Sequence, residues 1–297
     1  MGFSYSALEQ FILPGCDRLR FIVSYLKERN VQAAVMPVDG KNHIYVVFPR
    51  SSYNTALRIK TVIAHYDRAP ESPGANDNSF AVIAMLDWAC RLAKCRTAHN
   101  VRMIFTDGEE MSGGSSGLNQ GAYSLAQTFR RLGIDGDDIF VFDCMGRGTV
   151  PVLGKVILPA EISSSFRKQF TGLYERTFSL LQSACGGCAM TLPVSYSDNA
   201  GFIASGIPAV CVTMLPLEEA AAYASAVQQN AALSQYVMNK KCPSGIPETV
   251  LKNALPYTWR LFHTPYDNAQ SITPHSAAVF ERILQRISEM KTMEHTK

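Results

Sequence analysis

The chain is poor in charge, balanced in sign and free of long apolar runs. Charged residues fill 18% of its 297 positions, and the formal net charge is +3. That balance supplies no basic field for nucleic acid or for an anionic membrane surface. No stretch approaches the roughly 20 apolar residues of a membrane span. The opening MGFSYSALEQ lacks a basic segment followed by an apolar one, so no secretory leader is visible. Internal repeats and low-complexity tracts are missing too. Eight cysteines without a leader argue poorly for disulfides, and a reduced, cytoplasmic protein is the expectation. Cys185-Gly-Gly-Cys188 has redox or metal spacing, but no second pair accompanies it, and a structural role is the plainer reading.

What is present is apolar material, 47% of the chain, enough for a large core. Helical spacing of Leu19, Ile22, Val23 and Leu26 predicts a helix over 16–30. Strand-like runs follow at 32–38, 43–49 and 58–66, the first two joined by the turn signal Asp39-Gly40. Further strands are expected at 101–107, 138–146 and 207–215. Helices are expected at 78–94, 122–132, 161–181, 198–205, 217–239 and 274–291. Ser112 to Gly121 is a Gly/Ser-rich loop. Buried strands alternating with helices, and no linker between them, predict a three-layer α/β sandwich over 1–297 as a single domain. Its central sheet should be mixed and mostly parallel, flanked by helices.

Five residues of metal-ligating type stand at or just after strand ends: His65, Asp77, Glu110, Asp143 and His263, with Glu109 beside the third. Open α/β sheets place their sites there. Two imidazoles, three carboxylates and a spare acid suit a pair of hydrolytic zinc ions. In His65-Tyr66-Asp67 the i and i+2 side chains share a face, so Asp67 can accept the imidazole N–H and fix its tautomer. Asp77 lies just ahead of a helix, where an N-cap is the competing reading. Glu109 and Glu110 are neighbours that would face opposite ways in an extended segment, one toward a metal and one toward an open position; a solvated loop is the alternative. Asp143 sits among Phe142 and Cys144, where an unpaired charge is costly.

The order of AHYD (64–67), PGANDNS (73–79), FTDGEE (105–110), FDCMG (142–146), SDNAGFIASGIPAV (197–210) and FHTPYD (262–267) resembles the M28 family of zinc aminopeptidases. The resemblance implies a zinc-peptidase fold and two zinc ions bridged by Asp77. His65 and Asp143 would complete one site, Glu110 and His263 the other. Glu109 would be the general base, and Asp67 would stand behind His65. The substrate would be a peptide with a free N-terminus. Asp198 matches an aspartate that supports the site or contacts substrate in the family, with an N-cap as the alternative.

Some features depart from the family pattern. Phe262 stands where the family often has a tyrosine whose hydroxyl supports the oxyanion; Tyr196 or a backbone N–H is the candidate replacement. Phe80 replaces a glycine, SDNAGF replaces SDHAPF, and the loop after Glu110 is longer than usual. Residues 216–258 read as an inserted lid or specificity segment, or an oligomer contact. Glutaminyl cyclases share this fold, use one zinc ion and carry an aromatic residue before the last histidine. Phe262 and the 112–121 loop lean that way, while the complete ligand set and HTPYD lean toward an aminopeptidase. A catalytically silent binding module on the same fold is the third reading. Nothing in the sequence assigns an oligomeric state.

Overall fold

A computed structural model describes residues 2–110, 121–239, 242 and 245–293. The expected 112–121 loop, apart from Gly121, and Pro243 of the inserted segment lie outside the described residues. Eight strands form one mixed sheet: β1 (Gln32–Val38), β2 (Lys41–Val47), β3 (Lys60–His65), β4 (Val101–Thr106), β5 (Asp138–Phe142), β6 (Val150–Gly154), β7 (Met190–Leu192) and β8 (Ala209–Leu215). Their spatial order is β1-β2-β4-β3-β5-β8-β6-β7. The four central strands β4, β3, β5 and β8 are parallel, while β1, β2 and β6 run antiparallel to a neighbour.

Apart from the partly buried Arg102, the central strands are buried along their length, so their apolar residues divide by the period of two. Val62, Ala64, Met103, Phe105, Phe140, Phe142, Val210 and Val212 face one core. That core is closed by α1 (Tyr5–Phe11), α2 (Arg18–Glu28), α3 (Phe80–Leu92), α5 (Ser164–Cys185) and α11 (Ser276–Glu289). Ile63, Ile104, Ile139, Val141 and Cys211 face a second core under α4 (Gly121–Arg131) and α6 (Asn199–Ala204). The expected three layers are therefore present. Among the described residues, no helix is long and apolar enough to cross a membrane.

A third cluster joins β6, β7 and the end of β8 to α7 (Leu217–Gln229), α8 (Ala231–Asn239) and α9 (Glu248–Asn253). The single helix expected over 217–239 is two helices. Asn230 leaves helical geometry at φ −138°, ψ 97°, and its Oδ1 accepts from the Ala232 N–H at 3.0 Å, so α8 starts afresh. The strands β6 and β7 were not expected. Pro151 inside β6 reads as a strand breaker, and β7 spans only three residues.

A lysine is buried at the N-terminal end of the central strands, opposite the candidate ligands. Lys60 opens β3, is 2% exposed, and donates from Nζ to the Met290 carbonyl at 2.7 Å. Burial lowers its pKa from 10.5 to about 8, with Asp138 pulling the other way. Between those two values the unfolded chain binds more protons than the folded one, so this residue makes stability rise with pH there. Lys60→Met should flatten the dependence of the urea midpoint on pH between 8 and 10.5. An unchanged slope contradicts the assignment.

Candidate metal centre

The chain passes from β3 to β4 on one side of the sheet and then returns to β5 on the other side of β3. That reversal opens a crevice at the C-terminal ends of these strands. His65 is the last residue of β3, Asp107–Glu110 follow β4, and Asp143 follows β5. Asp77 arrives from the loop before α3 and His263 from the turn after α10 (Tyr257–Arg260).

The five candidate ligands converge there. Asp77 divides its carboxylate between the two imidazoles: Oδ1 lies 3.2 Å from His65 Nε2, and Oδ2 lies 3.5 Å from His263 Nε2. Asp143 Oδ1 is 3.5 Å from His65 Nε2, and Glu110 Oε2 is 3.1 Å from His263 Nε2. Two three-donor groups result, His65/Asp77/Asp143 and Asp77/Glu110/His263, each with its donor atoms within 4.8 Å of one another. A third group adds Glu109 to His65 and Glu110. His65 is fully buried, yet neither ring nitrogen makes a hydrogen bond. Such orphaned nitrogens beside carboxylates fit a borderline divalent cation such as zinc.

Glu109 and Glu110 lie in a bend past the end of β4, not in extended backbone. The expected strand alternation therefore does not apply to them, and both side chains stay within reach of His65. His263 adopts φ 59°, a left-handed conformation that a non-glycine residue takes at a cost. Its side chain is 57% exposed, which leaves this end of the cluster open to solvent.

A shell of hydrogen bonds fixes the loops. Asp67 accepts the Glu110 N–H on Oδ2 at 2.8 Å, and its Oδ1 stands 3.5 Å from His65 Nδ1. Asp267, fully buried, accepts the N–H groups of Asn76 at 2.8 Å and of Asp77 at 3.0 Å, one on each carboxylate oxygen. It thereby ties the Asp77 loop to the turn that carries His263. Asn76 Oδ1 accepts from the Gly146 N–H at 2.7 Å, and Asn78 Nδ2 donates to the Phe142 carbonyl at 2.7 Å, so the same loop is tied to the segment around Asp143. From α2, Arg18 donates to the carbonyls of Tyr66 and Pro73, both at 2.9 Å. The β1–β2 hairpin holds the Glu-Glu loop: Asp107 Oδ2 accepts from the Asn42 N–H at 3.0 Å, and the Asp107 N–H donates to His43 Nδ1 at 3.2 Å.

Crowded acids set the electrostatics. Burial pushes the Glu109 carboxyl well above its usual value; His65 opposes this, and Asp143, Asp198 and Asp77 add to it. Burial likewise raises Glu110. The reverse holds for Asp77: against the effect of burial, His263 and His65 keep it below the ordinary carboxylate range. For His65, burial disfavours the charged ring, but Asp143, Asp67 and Asp77 outweigh it and hold the pKa well above normal. Asp77 and Glu110 raise His263 to about 10.

The remaining candidates lie further out. Asp198 is fully buried at the start of α6 but makes no capping hydrogen bond. It accepts from the Thr106 hydroxyl at the end of β4, and its other oxygen has no partner. Burial raises its pKa to about 6. The N-cap alternative is thus not realised, and Asp77 makes no cap either. Tyr196 is half-buried and its hydroxyl is turned toward the Ile157 backbone. Sequence reasoning missed Asp267, Arg18, Asn76, Asn78 and His43. Asp267 was visible as the last residue of FHTPYD, but its partners lie far away in the chain.

A model of peptidase family M28 matches residues 44–288. No curated protein sequence matches the chain. Among solved structures, the LapA aminopeptidase of Legionella pneumophila is similar at 13% identity and a TM-score of 0.64, covering 98% of this chain and 72% of that one. A Bacteroides thetaiotaomicron glutaminyl cyclase bound to N-acetylhistamine is similar at 15% identity and a TM-score of 0.62, covering 98% and 99%. A Zn-dependent exopeptidase from Parabacteroides distasonis is similar at 14% identity and a TM-score of 0.59, with the same coverage. At these identities the likeness is one of fold.

Asp267→Asn turns an NH₂ group toward one of two backbone N–H donors. The substitution should cost about 1–3 kcal/mol of stability. The urea midpoint of chelator-treated protein measures it, and an unchanged midpoint would show that the Asp77 loop stands without this clamp.

Proposed function

We propose that this chain, which belongs to peptidase family M28, removes the N-terminal residue from peptides in a zinc-dependent hydrolysis. The observation that carries the reading is the division of Asp77 between His65 and His263. One carboxylate shared by two imidazoles, each with a further acid beside it, is a donor set for two cations. His65 and Asp143 would complete one set, and Glu110 and His263 the other. Zinc bound there supplies a water of lowered pKa and polarises the scissile carbonyl.

Glu109 is left without a place in either of these two sets. A carboxyl raised by burial is suited to take a proton from the attacking water and return it to the leaving amine. Asp67 orients His65, and Asp198 and Thr106 support the floor from behind. The substrate's free amine would meet the acids left around the metals. A backbone N–H would serve the oxyanion in place of the hydroxyl that Phe262 lacks, since the Tyr196 hydroxyl is turned toward the Ile157 backbone. A cytoplasmic location is part of this reading.

A second reading, N-terminal glutaminyl cyclisation with one zinc ion, is favoured by a specific observation. The aromatic residue Phe262 stands directly before His263.

Peptide amides with a free amine, the same peptides acetylated, and Gln-peptides separate the two readings. Release of the N-terminal residue, lost on acetylation, is the expected result; ammonia release from Gln-peptides without cleavage would replace the first reading by the second. Glu109→Gln should retain metal and lose about 10²–10⁴-fold in kcat. Full activity in that variant would remove Glu109 from its role.

A further inference from the structure

Among the described residues, Arg147 links the segment 216–258 to the candidate metal centre. Arg147 lies in the turn after Asp143 and reaches across to the residues just before and just after His263. Its Nε donates to the Thr258 hydroxyl at 3.1 Å, and its Nη1 donates to the Ser271 carbonyl. Its Nη2 stands 3.8 Å from Glu219 Oε1 in α7. The other oxygen of Glu219 accepts the Thr258 N–H at 2.8 Å, so Arg147 and Glu219 grip the start of α10 from two sides. Thr258 is fully buried, and the Arg147 guanidinium lies 5.7 Å from the Tyr257 ring centroid. On the far side of the segment, Tyr223 of α7 packs edge-on against Trp259 at 4.8 Å and donates its hydroxyl to the Pro193 carbonyl at 2.9 Å.

These contacts bear on a residue that needs support. His263 is exposed and sits in a left-handed backbone conformation, so neither packing nor intrinsic preference holds its ring in place. Arg147 holds the chain on both sides of it, through the Thr258 hydroxyl before and the Ser271 carbonyl after. A donor kept in position before the cation arrives loses less freedom on binding.

We propose that Arg147, braced by Glu219, is a positioning residue for His263, and that the inserted helix α7 supports this half of the metal centre instead of swinging over it as a lid. The inference rests on His263 being a metal ligand, as the proposed function has it.

The test is a double-mutant cycle read as zinc affinity, by competition with a chromophoric chelator, in wild type, Arg147→Met, His263→Ala and the pair. Arg147→Met should weaken the most weakly held zinc by about tenfold, the lower end of what loss of an orienting partner costs. In the His263→Ala background the same substitution should change affinity less than about twofold, because the two act through one donor. Glu219→Gln should give a smaller loss in the same direction, and Arg147→Lys should recover part of it; both serve if Arg147→Met fails to fold. Equal losses in both backgrounds, or an unchanged affinity in Arg147→Met and Glu219→Gln, would overturn the proposal. A wild-type protein that binds no zinc would instead overturn the functional reading on which it rests.

Discussion

Repulsion among buried acids is the constraint around which this molecule is arranged. Asp67, Asp77, Glu109, Glu110 and Asp143 share one end of the sheet with two imidazoles. Burial raises the Glu109 and Glu110 carboxyls with neighbouring acids adding to it, and the acids around the imidazoles raise both rings. Such a cluster is stable when its charge is balanced and its loops are prevented from relaxing apart. Divalent cations would supply the first condition, and the surrounding hydrogen bonds supply the second.

The fold meets the second condition by giving each loop more than one anchor. The Asp77 loop is bound to the His263 turn by Asp267 and to the Asp143 segment by Asn76 and Asn78. The Glu109–Glu110 bend is held by Asp67 from β3 and, through Asp107, by the β1–β2 hairpin. These partners come from the β1–β2 edge of the sheet, from the loops after its central strands and from the turn that carries His263, which accounts for a small site needing a large domain around it. Helices α7 to α9 share a third cluster with β6, β7 and the end of β8, and Arg147 and Glu219 link α7 to the chain beside His263.

The layered fold was legible because the central strands are buried on both faces and read as continuous apolar runs, with helical spacing between them. His65, Glu110 and Asp143 were legible because they end or follow strands, Asp143 among Phe142 and Cys144 most clearly; Asp77 and His263 come from the loop before α3 and the turn after α10, and the order of the motifs marked them. What was not legible is long-range. Nothing near Asp267 announces that its carboxylate meets the backbone of residues 76 and 77, and nothing in α2 marks Arg18 as the partner of Tyr66 and Pro73. Extended geometry misled at Glu109 and Glu110 because the chain bends there. The split at Asn230 turned on one local side-chain hydrogen bond that competes with the helix. The strands β6 and β7 were hidden by a proline and by brevity.

We propose that Asp77 is shared between two cations, one beside His65 and one beside His263. An anomalous difference map at the zinc edge, from crystals grown with zinc, is the decisive experiment. Two peaks flanking the Asp77 carboxylate are expected, one against His65 and Asp143 and the other against Glu110 and His263. A map with no peak touching Asp77, or with all its zinc away from both imidazoles, would contradict it.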